Sequence, residues 1–279
     1  MSPIAAEGLS LYAFLEMLLF RKYERARRIS EEAIALVAQY DDPRVIAHVH
    51  CSRAFGIEHW TAASRGALLD CGRDSYVLAA RAGDNHMASA TLSAAAHGSI
   101  MLGAPLQEAE VTCEQLNDHY KKVGDELRSA VAQELIALCR NLREGSSALL
   151  ASPFALKPDQ IPGLHRYYGY GEYLLADLLW HRYDRLEQHL DGLVAARSFG
   201  KGVLMEAAEP LWTALAEWHL AQVGRRSERA LRKALARHQK RLQRWAESSP
   251  ALAGPGLCLV RGLYEHAQGH VATALAYHL

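Results

Sequence analysis

The stretch that decides the fold is RAGDNHMASA, from Arg81 to Ala90, because its Gly83-Asp84 pair stops one helix and starts another. Glycine adopts the left-handed backbone conformation that ends helices, and an aspartate side chain caps the first turn of the next helix. The pair returns 41 residues later as Gly124-Asp125, and Asp42 precedes Asp84 by 42 residues. A turn that recurs at nearly equal steps predicts a repeated structural unit.

Apolar residues recur at three- and four-residue steps along nearly the whole chain, and alternating runs rich in Val, Ile and Thr are almost absent. This pattern predicts an all-α protein. The predicted helices cover residues 9–21, 23–39, 43–57, 61–81, 85–102, 105–122, 125–143, 161–181, 183–197, 205–222, 226–246, 252–267 and 270–279.

Asp42, Asp84 and Asp125 each begin the first helix of a predicted two-helix hairpin. One hairpin is too thin to bury its own apolar face, so it must stack on its neighbours. We therefore expect an α-α superhelix of about six antiparallel hairpins. Small residues and three prolines interrupt the pattern, which predicts an N-terminal block over 1–145, a loop over 146–162 and a C-terminal block over 163–279 of one continuous superhelix.

The composition excludes several classes of protein. Thirty-one basic residues balance 31 acidic ones, which argues against a chain that binds nucleic acid or a membrane surface as a whole. The apolar run Leu9 to Phe20 is shorter than the roughly 20 residues that a membrane-spanning helix needs. The five cysteines form no C-x-x-C pair, which favours a reducing compartment. We expect a cytoplasmic protein with no membrane partner.

The repeated hairpins resemble the tetratricopeptide repeat, with a longer period and without its full Trp, Gly, Tyr, Ala and Pro pattern. The chain also resembles the helical-repeat region of large signalling proteins that carry Ser/Thr kinase-like, STAND or AAA-type ATPase, GAF and histidine kinase modules. The motifs that carry this resemblance are His59-Trp60, Gly83-Asp84, Gly103-Ala104-Pro105-Leu106 and Trp245-Ala246-Glu247-Ser248-Ser249-Pro250. It implies a non-catalytic scaffold or regulatory protein-interaction domain in signal transduction.

Motifs for chemistry are missing from the sequence. It contains no G-x-x-x-x-G-K-[ST] phosphate loop, no kinase catalytic loop and no G-x-S-x-G nucleophile motif. We therefore expect neither an enzyme nor a cofactor. His48 and Cys51, with His59 and Cys71, offer metal-ligand types, but no second ligand pair follows at a recognised spacing, and ordinary packing is the favoured interpretation.

The first helices of the hairpins are expected to line a concave groove for a protein or peptide partner, with His48, Ser52 and Arg140 at groove positions. The aromatic segment from Gly163 to Arg185 predicts a helix-packing surface, with a peptide-binding groove as the alternative. Tyr167 and Tyr170 are its candidate partner-binding residues.

The segment from Gly224 to Trp245 holds nine Lys and Arg residues and one acid, Glu228. Leu231, Leu235, His238, Leu242 and Trp245 fall on one stripe, which predicts the buried face. The basic side chains form either a solvated face or a site for an anionic partner, an acidic protein surface in preference to nucleic acid. The candidate partner-binding residues here are Arg225, Arg229, Arg232, Arg237 and Lys240.

Two alternative functions stay open from the sequence. A sensor that binds a small ligand predicts a closed apolar pocket near the aromatics between Tyr167 and Trp180. Nucleic-acid binding through residues 225–244 predicts an affinity that falls steeply with salt.

Overall fold

The computed structural model describes residues 2–145, 161 and 163–277, and within these ranges the chain is all-helical, with no β-strand. It divides into two compact units, Met1–Ala155 with Gly202–Leu204, and Leu156–Lys201 with Met205–Leu279. Residues 202–204, which lie in the predicted C-terminal block, cluster with the first unit. The predicted loop 146–162 lies outside the described residues, except for Ile161.

The first unit contains eight α-helices among its described residues. They are α1 (Pro3–Phe20), α2 (Tyr23–Val37), α3 (Pro43–Gly56), α4 (Glu58–Thr61), α5 (Arg65–Arg81), α6 (Asn85–Met101), α7 (Leu106–Lys122) and α8 (Glu126–Glu144). The described residues of the second unit form a 3₁₀ turn, Arg197–Gly200, and six more helices. These are α9 (Gly163–Leu179), α10 (Tyr183–Ala196), α11 (Leu204–Gln222), α12 (Glu228–Ser248), α13 (Pro250–Ala267) and α14 (Val271–Ala276).

The three predicted aspartate caps are confirmed. The Asp42 carboxylate accepts hydrogen bonds from the backbone N–H groups of Arg44 and Val45, at the start of α3. Asp84 accepts from the N–H of Met87, and Asp125 from that of Arg128. Each carboxylate therefore satisfies a donor that the first turn of a helix leaves without a partner.

The glycine turns between helices share one backbone geometry. Gly83, Gly103 and Gly124 have φ angles of 71°, 66° and 75°, in the left-handed region. The residue after each glycine donates its N–H to a carbonyl five positions earlier, as Asp84 does to Ala79 at 3.0 Å. Gly224 and Gly269 end α11 and α13 in the same way. These bonds satisfy the last carbonyls of each helix and fix the direction of the next one.

Helices of the first unit pack as successive hairpins. The pairs α1–α2, α3–α5 and α6–α7 each lie in contact, and the second helix of each pair also contacts the first helix of the next. The first helices α1, α3 and α6 contact one another in series. Close approach depends on small residues: a Cβ added to Gly72 of α5 would lie 3.3 Å from that of Ala95 on α6.

Two predicted helix boundaries are wrong. The first helix begins at Pro3 and not at residue 9, because proline has the φ angle of a first helical position and good helix formers follow it. At 18 residues, α1 is the one helix in the described part of the chain that is long and apolar enough to cross a membrane. The predicted helix 61–81 is divided between α4 and α5, because Ser64 caps a new helix through the N–H of Ala67.

The His59-Trp60 motif joins several segments of the first unit. Trp60 stacks on Tyr23 of α2 with ring centroids 4.9 Å apart. The His59 ring is buried, and its Nε2 donates to the carbonyl of Gly202 at 3.0 Å. Burial lowers the pKa of His59 to about 3, so the ring is neutral at physiological pH. Its hydrogen bond to Gly202 holds residues 202–204 in the first unit.

We expect Gly124→Ala to lower the free energy of unfolding of the first unit by about 1 kcal/mol, because an L residue is strained at this positive φ. Nothing lies within 4 Å of the added methyl group, so no steric clash contributes. Gly8→Ala is the matched control, because Gly8 is a helical glycine of α1 with equal open space. It should raise the free energy of unfolding by about 0.5–1 kcal/mol. Chemical denaturation measures both changes in the free energy of unfolding. If the two substitutions change it in the same direction, the left-handed role of Gly124 is contradicted.

Candidate interaction surfaces

An open groove of about 970 Å³ runs along the first unit. One wall is α5, through Arg73, Tyr76 and Val77, and the facing wall is α7, from Gln107 to Val123. The floor comes from α6. The groove therefore lies between the second helices of two neighbouring hairpins and not between first helices, where the sequence predicted it. The reason is that α6 packs against both α5 and α7 and so separates them.

The groove combines exposed apolar and polar side chains. Val77 and Val111, on the two facing walls, are 42% and 48% exposed. Gln115 lies at the middle of the α7 wall, and the charged side chains of Glu108, Asp118 and Lys122 lie along it. Apolar and charged side chains on one surface are typical of sites that take one face of an amphipathic peptide.

A histidine lies against the floor of the groove. Ser89 donates its hydroxyl to the carbonyl of Asn85 at 2.7 Å, so the Nε2–H of His119 donates to the Ser89 oxygen at 3.0 Å. The ring of Tyr76 meets the His119 ring edge-on, with centroids 5.7 Å apart. Burial, which outweighs the other influences, lowers the pKa of His119. The α7 wall therefore holds a neutral, hydrogen-bonded imidazole at physiological pH.

The first-helix residues expected to contact a partner lie outside this groove. His48 and Ser52 are half-buried on α3, and His48 Nδ1 lies 3.1 Å from a carboxylate oxygen of Glu7. Arg140 of α8 forms ion pairs with Glu110 at 2.5 Å and Glu114 at 2.8 Å. Its guanidinium thus joins α7 to α8, and the structure does not bring the three residues together.

Tyr167 is in the core of the second unit, which corrects its prediction as a partner-binding residue. The side chain is 0% exposed, and its hydroxyl donates to Glu209 at 2.6 Å. Packing around it is tight, since a Cβ added to Gly200 would lie 1.9 Å from the Tyr167 ring. Tyr170 is half-buried and its ring covers Gly192 of α10. The aromatic segment is therefore mainly a helix-packing surface.

A buried ion network surrounds Glu209 and was missed from the sequence. This carboxylate, 0% exposed, pairs with Arg197 at 2.5 Å and Arg241 at 3.0 Å, besides Tyr167. Burial alone would raise the pKa of Glu209, but the hydrogen bonds and charges of Arg241 and Arg197 outweigh it and lower the pKa. The group is an ionised carboxylate that fastens α9, the 3₁₀ turn and α12 to α11.

A second buried carboxylate closes the α9–α10 hairpin. Asp177 is 0% exposed, and its two oxygens lie 2.5 Å from His189 Nδ1 and 2.6 Å from an Arg182 nitrogen. Arg182 follows the turn between the two helices, where His181 adopts a left-handed φ of 55°. An Asp–His pair occurs in catalytic sites, but here both side chains are enclosed and link one helix to the next.

The basic residues of α12 divide into an outer and an inner set. Arg226 pairs with Glu187 and Glu217, half-buried Arg232 pairs with Glu228, and Arg241 points inward to Glu209. The outer set is exposed and spaced at three- or four-residue steps, from Arg225 just before α12 and then along one side of the helix, and we name it the basic ridge. It consists of Arg225, Arg229, Lys233, Arg237, Lys240 and Arg244.

The helical part of the basic ridge, from Arg229 to Arg244, is about 23 Å long, from the helical rise of about 1.5 Å per residue. Among the described residues, an acid approaches it within 4 Å only at Arg225, which lies 3.9 Å from Glu187. Four of the five residues predicted from this segment belong to the ridge, and Arg232 does not. Lys233 and Arg244 are additions from the structure. The predicted apolar stripe of α12, from Leu231 to Trp245, is buried.

The candidate metal ligands are not assembled into a site. His59 is bonded to Gly202, and the Cys51 thiol donates to the carbonyl of Ser75. Burial raises the pKa of Cys51 to about 12 and that of Cys71 to about 11, so both are protonated thiols. Over the described ranges, no group of three or more His, Cys, Asp or Glu side chains is placed to hold a metal ion.

Comparison of the chain with protein-family models, with curated proteins and with solved structures finds no significant match.

We expect Arg241→Met to lower the free energy of unfolding of the second unit by about 3 kcal/mol, because it removes one of two cations from a fully buried carboxylate. Arg237→Met is the matched control on the same helix. Its side chain lies on the exposed ridge, so the change should cost less than about 0.5 kcal/mol. Denaturant titration of both variants compares the two costs, and equal losses would show that Glu209 does not depend on Arg241.

Proposed function

We propose that this chain is a non-catalytic, tetratricopeptide-like helical scaffold that binds a protein partner through the groove of the first unit. The groove is the observation that carries the proposal. It combines length with exposed apolar and polar side chains on a surface built from regularly packed hairpins. The packing of each second helix on the first helix of the next hairpin is the arrangement from which helical superhelices are built, and it supports that finer description of the fold.

An amphipathic helix is the partner element that this groove fits best. The α7 wall extends from Gln107 to Val123, which is about 24 Å of helix. A bound helix of about 16 residues would match that length, with its apolar stripe on Val77 and Val111. Its polar residues would meet the charged side chains at the ends of α7.

The setting in signal transduction rests on the resemblance in sequence. The motifs of that resemblance have structural roles in this chain: His59-Trp60 joins segments, and Gly83-Asp84 ends one helix and caps the next. They support a repeat architecture shared with such proteins, and a regulatory role in the cytoplasm follows as part of the proposal. No other observation names the pathway.

Groove binding is tested by selection from a displayed library of random 16-residue peptides. We expect peptides with apolar residues at three- and four-residue steps to bind the wild type, and Val111→Glu to weaken them by at least about tenfold, because a carboxylate would be placed against their apolar stripe. Val223→Glu is the matched control, since Val223 is 50% exposed and lies in the second unit. Binding measured by interferometry should be unchanged in that variant.

Two results would contradict the groove proposal. One is a library that yields no peptide, and the other is peptides that bind Val111→Glu as tightly as the wild type. The sensor alternative has its own readout. A metabolite that raises the melting temperature in a saturable manner would support a small-ligand site. That site lies near the Tyr167–Trp180 aromatics if Val111→Glu is stabilised equally, and in the groove if Val111→Glu is not stabilised.

The basic ridge supports a second, acidic contact with the partner. An array of exposed cations with one nearby acid attracts a polyanion, and an acidic protein segment is favoured because exposed aromatics for base stacking do not accompany the ridge. This contact would add to the affinity of the groove, because one partner would occupy two weak sites of the chain at once.

We expect poly-L-glutamate to bind the chain, with an affinity that falls as salt rises. Arg237→Gln/Lys240→Gln should weaken it about three- to tenfold, whereas Arg44→Gln/Arg81→Gln, which removes two exposed cations of the first unit, should not. Fluorescence anisotropy at several salt concentrations measures this. Tighter binding of a DNA duplex that depends on the same two residues would favour the nucleic-acid alternative.

A further inference from the structure

The outer face of α1 is apolar along its whole length. Every residue of this helix that is exposed is an apolar residue, a glycine or a tyrosine. They are Ile4, Gly8, Leu11, Tyr12, Leu15, Leu19 and Phe20. Ile4, Leu11 and Leu19 are 74%, 60% and 64% exposed. A surface helix normally shows the opposite pattern, with its polar residues outward.

The charged residues of α1 are turned toward the rest of the first unit. Glu7 lies 3.1 Å from His48 of α3. Glu16 is buried, accepts a hydrogen bond from Tyr12 at 2.6 Å and lies 3.5 Å from Arg25. Both carboxylates therefore have partners within the unit. The outward face is therefore left with apolar surface that water does not stabilise.

Cations border this apolar face at its aromatic residues. Lys22 Nζ lies 5.5 Å from the centre of the Phe20 ring, and Arg25 Cζ lies 5.9 Å from that of Tyr12. Arg28, one turn further along α2, is exposed. Aromatic rings beside lysine and arginine are the residues that favour the boundary between lipid and water, where the cations meet anionic headgroups.

We propose that α1 docks the first unit on an anionic membrane surface and lies in its plane, with the apolar face among the acyl chains and Lys22, Arg25 and Arg28 at the headgroups. This orientation keeps the bonds of Glu7 and Glu16 intact. A spanning orientation would break them and place both carboxylates in hydrocarbon, at several kcal/mol each.

The size of the face favours a bilayer over a second copy of the chain. An 18-residue helix is about 27 Å long and about 10 Å wide, which gives a footprint near 300 Å². A stable protein interface buries about 800 Å² on each partner, so α1 alone is too small for one. Insertion at a lipid surface has no such threshold, because the bilayer accepts any apolar face that reaches it.

Flotation of the purified full chain with lipid vesicles tests the proposal. Vesicles of phosphatidylcholine with about a third phosphatidylglycerol should carry the wild type upward, and pure phosphatidylcholine vesicles should carry much less. Leu11→Glu/Leu15→Glu should reduce binding at least about tenfold. Val223→Glu/Val271→Glu, a matched change of two exposed valines in the second unit, should leave it unchanged. Circular dichroism confirms that both double variants are folded.

Two further measurements separate docking from its rivals. Lys22→Gln/Arg28→Gln should abolish the preference for anionic vesicles and leave the weak binding to neutral ones. An environment-sensitive dye on Leu19→Cys, in a Cys258→Ser background, should shift to the emission of a lipid environment only when vesicles are present. Both results would support an in-plane orientation at the headgroups.

Three outcomes would overturn the proposal. The first is the absence of flotation with anionic vesicles, and the second is flotation that Leu11→Glu/Leu15→Glu does not reduce. The third is a vesicle-free dimer, detected by light scattering, that the same double variant dissociates. This result would assign the apolar face to a second copy of the chain.

Discussion

A two-helix hairpin can bury only part of the apolar surface that it carries, and this constraint governs the structure. Each hairpin therefore keeps one apolar face that must pack on a neighbouring hairpin. The direction of the turn between helices decides whether these faces come into contact. The turns at Gly83 and Gly124 set that direction. Their left-handed glycines allow backbone hydrogen bonds to the last carbonyls of one helix. Asp84 and Asp125 cap the helix that follows. Residues 202–204 join the same packing through His59.

The helices could be predicted because their ends are decided locally. A left-handed glycine, an aspartate cap or a proline at the first position acts within one turn, and the boundaries at Gly83, Gly103 and Gly124 follow from those residues alone. The Ser64 cap is as local, but apolar periodicity continues across it and hid the break between α4 and α5. The turns at Arg21 and His181 lie where the predicted helices 9–21 and 161–181 end, although neither residue is a glycine and both have a φ of 55°.

The surfaces could not be predicted to the same extent, because they depend on which helix faces which. Nothing near Arg241 in sequence shows that it points at Glu209, 32 residues earlier, while Arg237 points to solvent. Periodicity identified an apolar stripe on α12 but gives no direction for a helix such as α1, which is apolar on most sides. The groove likewise arises from the spacing of α5 and α7 over α6, and that spacing exists only after the hairpins have packed.

The polar interior holds the helices to one another. Two buried carboxylates are matched by arginines: Glu209 by Arg197 and Arg241, and Asp177 by Arg182. Burial lowers the pKa of His238 to about 3, as it does that of His59, so these two rings are neutral at physiological pH. The ion pairs and the neutral rings lie between helices, whereas the groove, the basic ridge and the outer face of α1 are open to solvent.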